Sequence, residues 1–184
     1  QGYTTCNLET VGPEKAQIGA ICDIQGRVIT SFLLVEIKGK LILRMSKDLI
    51  EQSLSFLSKY IVFSKAEVRD ISNEFFCHGI DVAKSNFMQV KPLDNGLEID
   101  LGNRRELWLS EKKSNEEICL KDWTDLEIEL SHSWISSKNS QLFLPQSLNY
   151  HEIDALDFEK GCYLGQEIIA RMHFRGKLKK RLHL

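Results

Sequence analysis

The pattern of apolar residues predicts an α+β protein built on antiparallel sheets with helices packed against them. Three observations carry this: β-rich stretches flank short turn signals, one segment repeats apolar residues at helical spacing, and a glycine-bracketed motif leads into another helix-like stretch. Gln17 to Ile24 and Arg27 to Ile37 are the first two predicted strands, with Gln25-Gly26 as the tight turn between them. Lys38-Gly39 turns the chain again into Lys40 to Met45, which carries apolar residues on both faces, as a covered strand does. Ser46 is placed as an N-cap and Asp48 as a carboxylate at a helix start. Ile50, Leu54, Leu57 and Ile61 then recur at helical spacing, so a helix is expected to cover this three-stranded meander.

Further along, Ile61 to Ser72 and Phe75 to Val82 are predicted as strands. Leu97 to Leu101 and Glu106 to Leu109 flank the Gly102-Asn103 turn signal as a second hairpin. Trp123, Leu126 and Leu130 give Asp122 to Leu130 a helical period, with an alternating strand of Leu126, Ile128 and Leu130 as the competing reading. Ser131 to Asn149, rich in Ser, Asn and Gln and containing Pro145, is predicted as a loop crossing the surface.

Composition narrows the function class. With 184 residues, 42% hydrophobic and 27% charged, the chain holds material for one or two small cores, which excludes disordered, collagenous and coiled-coil classes. The longest uncharged apolar stretch, Val28 to Val35, is far shorter than the ~20 residues of a bilayer-spanning helix, so no membrane span is expected. The start shows neither an initiator Met nor a secretory pattern, and the chain reads as a cytoplasmic protein or a fragment of a longer one. Net charge is -2, yet residues 168–184 hold Lys and Arg without Asp or Glu. That basic end is read as a solvated face, and no direct nucleic-acid contact is expected from charge. Cysteines at 6, 22, 77, 119 and 162 form no CxxC and no Cys/His spacing, so zinc fingers, other metal sites and disulfide frameworks drop out. In a reducing compartment, all but Cys162 are expected to serve as small core residues.

The densest chemical signal is Lys160-Gly161-Cys162-Tyr163-Leu164-Gly165-Gln166-Glu167, just before a helix-like Ile168 to Arg171. A thiol beside a lysine and near exposed helix-start N–H groups is favoured as thiolate, which makes Cys162 the candidate nucleophile. The alternative is that Gly161 and Gly165 make a tight turn and Cys162 fills a small hole. Trp123, 39 residues earlier, offers a flat face to a ring-bearing ligand or else a core side chain. Asp23 and Arg27 are expected to pair across the first turn, and the amides of Gln146 and Asn149 either orient a polar ligand or satisfy a loop. No GxGxxG, Walker loop, HExxH or GxSxG occurs, and the histidines at 78, 132, 151, 173 and 183 lack metal spacing.

Together these segments resemble the YgfZ family of folate-binding proteins, relatives of the T-protein of the glycine cleavage system. Residues 160–167 stand where that family carries K-G-C-Y-x-G-Q-E, followed by Ala170-Arg171, Phe174-Arg175-Gly176 and Arg181. Cys22-Asp23, Gly26-Arg27, Lys59-Tyr60 and Val62-Phe63-Ser64-Lys65 resemble its hairpin and the passage after it; Phe143-Leu144-Pro145-Gln146 and Asn149 resemble the loop before the motif. The resemblance implies domains arranged in a ring around a cavity for tetrahydrofolate or another reduced folate. It implies three parts: 1–72 as the first part of the folate-binding core, 73–121 as a smaller subdomain, and 122–184 returning to the core. Cys162 and Lys160 would be the chemical residues, and Trp123, Gln146, Tyr163, Gly165, Gln166, Glu167, Arg171 and Arg175 the folate contacts. Iron-sulfur enzymes or their assembly factors would be the partners, including an enzyme that modifies tRNA. Gln1-Gly2 resembles the middle of the family's L-Q-G-Q segment, Leu184 falls where its C-terminal β-barrel would begin, and Ser131 replaces a usual glycine, so the family's first strand and helix and its barrel lie outside the chain.

Two other classes compete. An aminomethyltransferase of the T-protein type needs an acid pair after the hairpin glycines, and Ile29 and Thr30 supply none. A non-enzymatic thiol scaffold would use Cys162 alone, but one thiolate is too few ligands to hold a cluster. The motifs specify a folate-dependent protein without specifying a catalysed reaction.

Overall fold

The computed structural model describes residues 1–62, 64, 66–81, 86–102, 104–111, 120–129, 132–178 and 182. Strands β1 (Gln17–Cys22), β2 (Val28–Ile37) and β3 (Lys40–Met45) form an antiparallel sheet in the order β1-β2-β3. Its register pairs Ile18 with Leu33 and Leu33 with Arg44, so these residues share one face; Phe32 and Met45 share the other. Both faces are covered, which is why β2 is buried from Val28 to Val35 and reads as an almost continuous apolar run. One face packs Ile21, Phe32 and Leu34 against Phe56 and Leu57 of helix α1 (Ile50–Ile61). The other contributes Ile18, Ala20, Leu33 and Val35 to the main core.

Strands β4 (Phe76–Asp81), β5 (Val90–Leu93), β6 (Gly96–Asp100) and β7 (Arg104–Leu109) form a second antiparallel sheet in the order β4-β7-β6-β5. The sheets are joined directly. Ala16 N donates to Met88 O at 2.9 Å and Val90 N to Glu14 O at 2.9 Å, just before β1 and at the start of β5. Val90, Leu97, Ile99 and Trp108 accordingly share one core with the first sheet. Helix α2 (Leu120–Glu129) lies on the second sheet, and α3 (Gln166–Arg175) follows the glycine-bracketed motif.

Several expectations change. The first strand stops at Cys22, where the register shifts by a bulge. The predicted strand from Ile61 to Ser72 is absent among its described residues: α1 runs to Ile61, Val62 is exposed, and no strand pairing follows before β4. A run containing Lys65, Glu67, Arg69 and Asp70 offers too little apolar surface to fill both faces of a sheet. β5, which the sequence did not reveal, is an edge strand holding Pro92, a residue that periodicity counts against a strand. Ser46 donates to Asp48 rather than capping the helix, and the turn at Lys47–Leu49 is 3-10.

The largest correction is the segment from His132 to Asn149. It is a partly buried strut: Ile135, Pro145, Gln146 and Leu148 are buried, while the middle, at Ser137, Lys138, Gln141 and Leu142, lies on the surface as the loop reading expected. The reason is the length of β2: β3 stops pairing at Phe32, leaving the backbone of Val28 to Ser31 without a strand on that side. The strut fills it: Val28 N donates to Phe143 O at 2.9 Å, Gln141 N to Val28 O at 2.7 Å, and Ile135 N to Ser31 Oγ at 2.9 Å. Phe63, Lys65, Val82, Asn103, Cys119, Leu130, Ser131 and Arg181, named in the sequence analysis, lie outside the described residues.

Candidate functional site

The sequence-predicted residues fall into two groups. Trp123 stands in the first, where the two sheets meet. On β4, Gly79 leaves room for it: a Cβ there would come 2.5 Å from Trp123 Cε3, so the indole packs directly on the strand backbone. The Arg104 guanidinium lies 4.7 Å from the ring centroid, and Trp123 Nε1 donates to Glu127 Oε1 at 2.9 Å, one helical turn along α2. Arg104 is fully buried, donates to Leu126 O at 3.0 Å, meets His132 Nδ1 at 3.2 Å and lies 3.8 Å from Glu127.

A second arginine repeats this arrangement beside it. Arg44 on β3 forms a two-pronged ion pair with Glu106 on β7 and lies 4.3 Å from the centroid of Trp134; Trp108 Nε1 donates to the same carboxylate at 2.9 Å. All three tryptophans of the chain therefore gather around two arginines and two glutamates. Burial and the neighbouring arginines push the His132 imidazole down to about 4, and burial raises the Glu127 carboxyl despite Arg104. A neutral His132 matches its role as partner of a guanidinium, which has no lone pair to offer. Arg44, Arg104, Glu106, Glu127, His132 and Trp134 were missed by sequence reasoning, because their spacing of up to 90 positions shows no local pattern.

The second group is the 160–167 loop. Cys162 is exposed, whereas Lys160 and Tyr163 are buried. The Lys160 ammonium donates to the carbonyls of Gln1, Thr4 and Cys6 at 2.8, 2.6 and 2.8 Å; burial lowers its pKa. Its hydrogen bonds go to the start of the chain, not to the Cys162 thiol. Gly165, at φ 80°, packs so tightly against the first hairpin turn that a Cβ would come 2.5 Å from Asp23 O. Gln146 Nε2 donates to Ile169 O at 2.6 Å, Tyr163 N to Gln166 Oε1 at 3.3 Å, and Glu167 pairs with Arg171 on the exposed side of α3, where Arg175 is also exposed. These bonds brace the loop. Among the described residues, no hydrogen bond or ring contact joins it to Trp123. The expected Asp23–Arg27 ion pair is replaced by backbone capping, with Asp23 Oδ1 accepting from Arg27 N at 2.8 Å while Arg27 Nη1 donates to Leu142 O. Of the cysteines expected in the core, Cys6 and Cys22 are buried, with Cys6 pushed up to about 11 by burial, but Cys77 is exposed.

Fold and site thus define an α+β protein with an aromatic and charged junction between two antiparallel sheets and a separate exposed thiol on a braced loop. No protein-family model matches the chain. Among curated proteins it is similar to tRNA-modifying protein YgfZ from Vibrio atlanticus (strain LGP32), 28% identical over all of this chain and 62% of that protein. It is 29% identical to the protein of that name from Buchnera aphidicola subsp. Schizaphis graminum (strain Sg), over all of this chain and 66% of the relative. With the one from Colwellia psychrerythraea (strain 34H / ATCC BAA-681), identity is 30% over 99% of this chain and 63% of the relative. The chain is thus similar along essentially its whole length to proteins named YgfZ, and it spans less than two thirds of the length of these relatives. Among the described residues, no helix is long and apolar enough to cross a membrane.

Proposed function

We propose that this chain is the folate-binding core of a YgfZ-type protein, with the T-protein-like arrangement its motifs imply. It would bind tetrahydrofolate or another reduced folate at the Trp123 junction. Together with Cys162 it would support the assembly or repair of iron-sulfur enzymes in the cytoplasm and, through them, tRNA modification, the activity in its relatives' name. The observation that carries this reading is the half-buried Trp123 ring set between a guanidinium and a carboxylate. A pterin is flat, with an amino-amide edge and a carbonyl. The half-buried Trp123 would supply aromatic surface and Glu127 an acceptor for the amino edge, while Arg104, fully buried and bonded to Leu126 O and His132, would hold the ring and the carboxylate in place. Reduced folate supplies amines that carry one-carbon units. Trp123 and Glu127 would bind and orient it, with Arg104 behind them as their support. No catalytic step is assigned to the chain.

Aminomethyl transfer finds less support, since Ile29 and Thr30 are buried strand residues and Asp23 is committed to capping its own turn. The deciding experiment is calorimetry with tetrahydrofolate on the full-length parent protein. Trp123→Ala is expected to weaken binding by more than about tenfold, the loss of one aromatic stack. A folded variant that binds as tightly as wild type overturns the reading.

A further inference from the structure

We propose that Lys160 is a positioning residue for Cys162: its ammonium is a clasp that fastens the Cys162 loop to the first six residues of the chain. The inference rests on reading Cys162 as the reactive thiol, but its geometry stands without any folate. An ammonium has three N–H donors, and here the three carbonyls of Gln1, Thr4 and Cys6 converge on it, with Thr4 Oγ1 at 3.4 Å. Among the described residues its hydrogen-bond partners are these oxygens and no carboxylate, and Lys160 is 9% exposed. A cation so enclosed by backbone oxygen fixes geometry and has its charge engaged there.

Thr5, between the gripped Thr4 and Cys6, anchors this segment to the sheet. Thr5 N donates to Ala20 O at 2.9 Å, and Ala20 N returns a bond to Thr5 Oγ1 at 2.9 Å, on edge strand β1. From there two ties reach the loop. Lys160 is one; the other is Leu164 N donating to Gly2 O at 3.0 Å. Cys162 lies midway between these tethers and is exposed, so the clasp presents the thiol without contacting it. Lysine suits the task better than arginine, because a compact point charge accepts three carbonyls converging from different directions and a planar fork does not.

The test follows two readouts in the full-length protein: iodoacetamide labelling at Cys162, resolved by mass spectrometry, and hydrogen exchange at the Leu164 amide. Lys160→Met is expected to speed Leu164 exchange by about tenfold and to alter the Cys162 labelling rate, while amides of β2 and β7 keep wild-type protection. Lys160→Arg keeps the charge but not the converging geometry, and is expected to loosen Leu164 in the same way. Wild-type exchange and labelling in the arginine variant overturns the clasp. So does a methionine variant that shifts only the pH profile of labelling and leaves Leu164 protected, since Lys160 would then act on the thiol by charge. Failure of the underlying reading is seen separately, as full restoration of iron-sulfur enzyme activity by Cys162→Ala in a cell lacking the parent protein.

Discussion

At the Trp123 junction, buried cations face carboxylates and aromatic rings, whereas at the Cys162 loop the buried cation faces backbone carbonyls. The junction joins side chains from β3, β7, α2 and the strut, so its bonds hold two sheets together. The loop joins chain segments that have no sheet or helix of their own, so its bonds hold a local shape. The difference teaches where each region is fragile. Removing one charge at the junction strands another in a place where water cannot reach it, while the loop depends on close approach and on the donor geometry of a single lysine.

The largest effect is expected at the junction. Arg44→Met leaves Glu106, only 4% exposed at its side chain, without its cation and is expected to cost about 3 kcal/mol in stability, read by urea denaturation. Labelling at Cys162 in the folded variant should stay at the wild-type rate; a coupled change would merge the two regions into one. Next comes Gly165→Ala, which places a Cβ against Asp23 O and Gly26 Cα at a positive φ and is expected to cost roughly 2–4 kcal/mol. Here Cys162 labelling should change with stability, and an unchanged melting temperature would show that the turn and α3 separate freely.

The most gradual effect, spread over more than two pH units, is a pH dependence. His132 titrates at about 4 in the fold against an ordinary value of 6.5, so the unfolded chain binds the extra proton between those values. Stability contributed by neutral His132 is therefore complete above pH ~6.5 and falls as pH drops toward ~4, by at most about 1.4 kcal/mol per pH unit. His132→Asn should flatten that stretch of a stability-against-pH curve. An equal slope in both proteins would place the acid sensitivity elsewhere.

Local patterns told most about the first sheet. The Gln25-Gly26 turn, the alternation of β3 and the helical spacing from Ile50 to Ile61 are set by neighbours within a few residues, and each appears in the fold with small shifts at the ends. The 160–167 motif was likewise legible as a turn into a helix, yet the destination of the Lys160 ammonium was not. Proximity in sequence pointed it at Cys162; the carbonyls it meets lie about 155 positions away. Trp123 was legible as an aromatic on a helix, and its setting was not, because Arg104 reaches it from a strand and Gly79 makes room for it on another.

By itself, then, the sequence determined the α+β class, the first hairpin and its covering helix, the placement of α2 and α3, and the glycine-bracketed turn of residues 160–167. Those features follow from backbone preference and short-range periodicity. Tertiary structure alone decided that both ends of the segment from His132 to Asn149 are buried, that two arginines and three tryptophans gather around two glutamates, and that Lys160 grips the start of the chain. The physical reason is common to all three: a buried backbone or charged group takes whichever partner folding brings within about 3 Å, and sequence spacing carries no record of that distance.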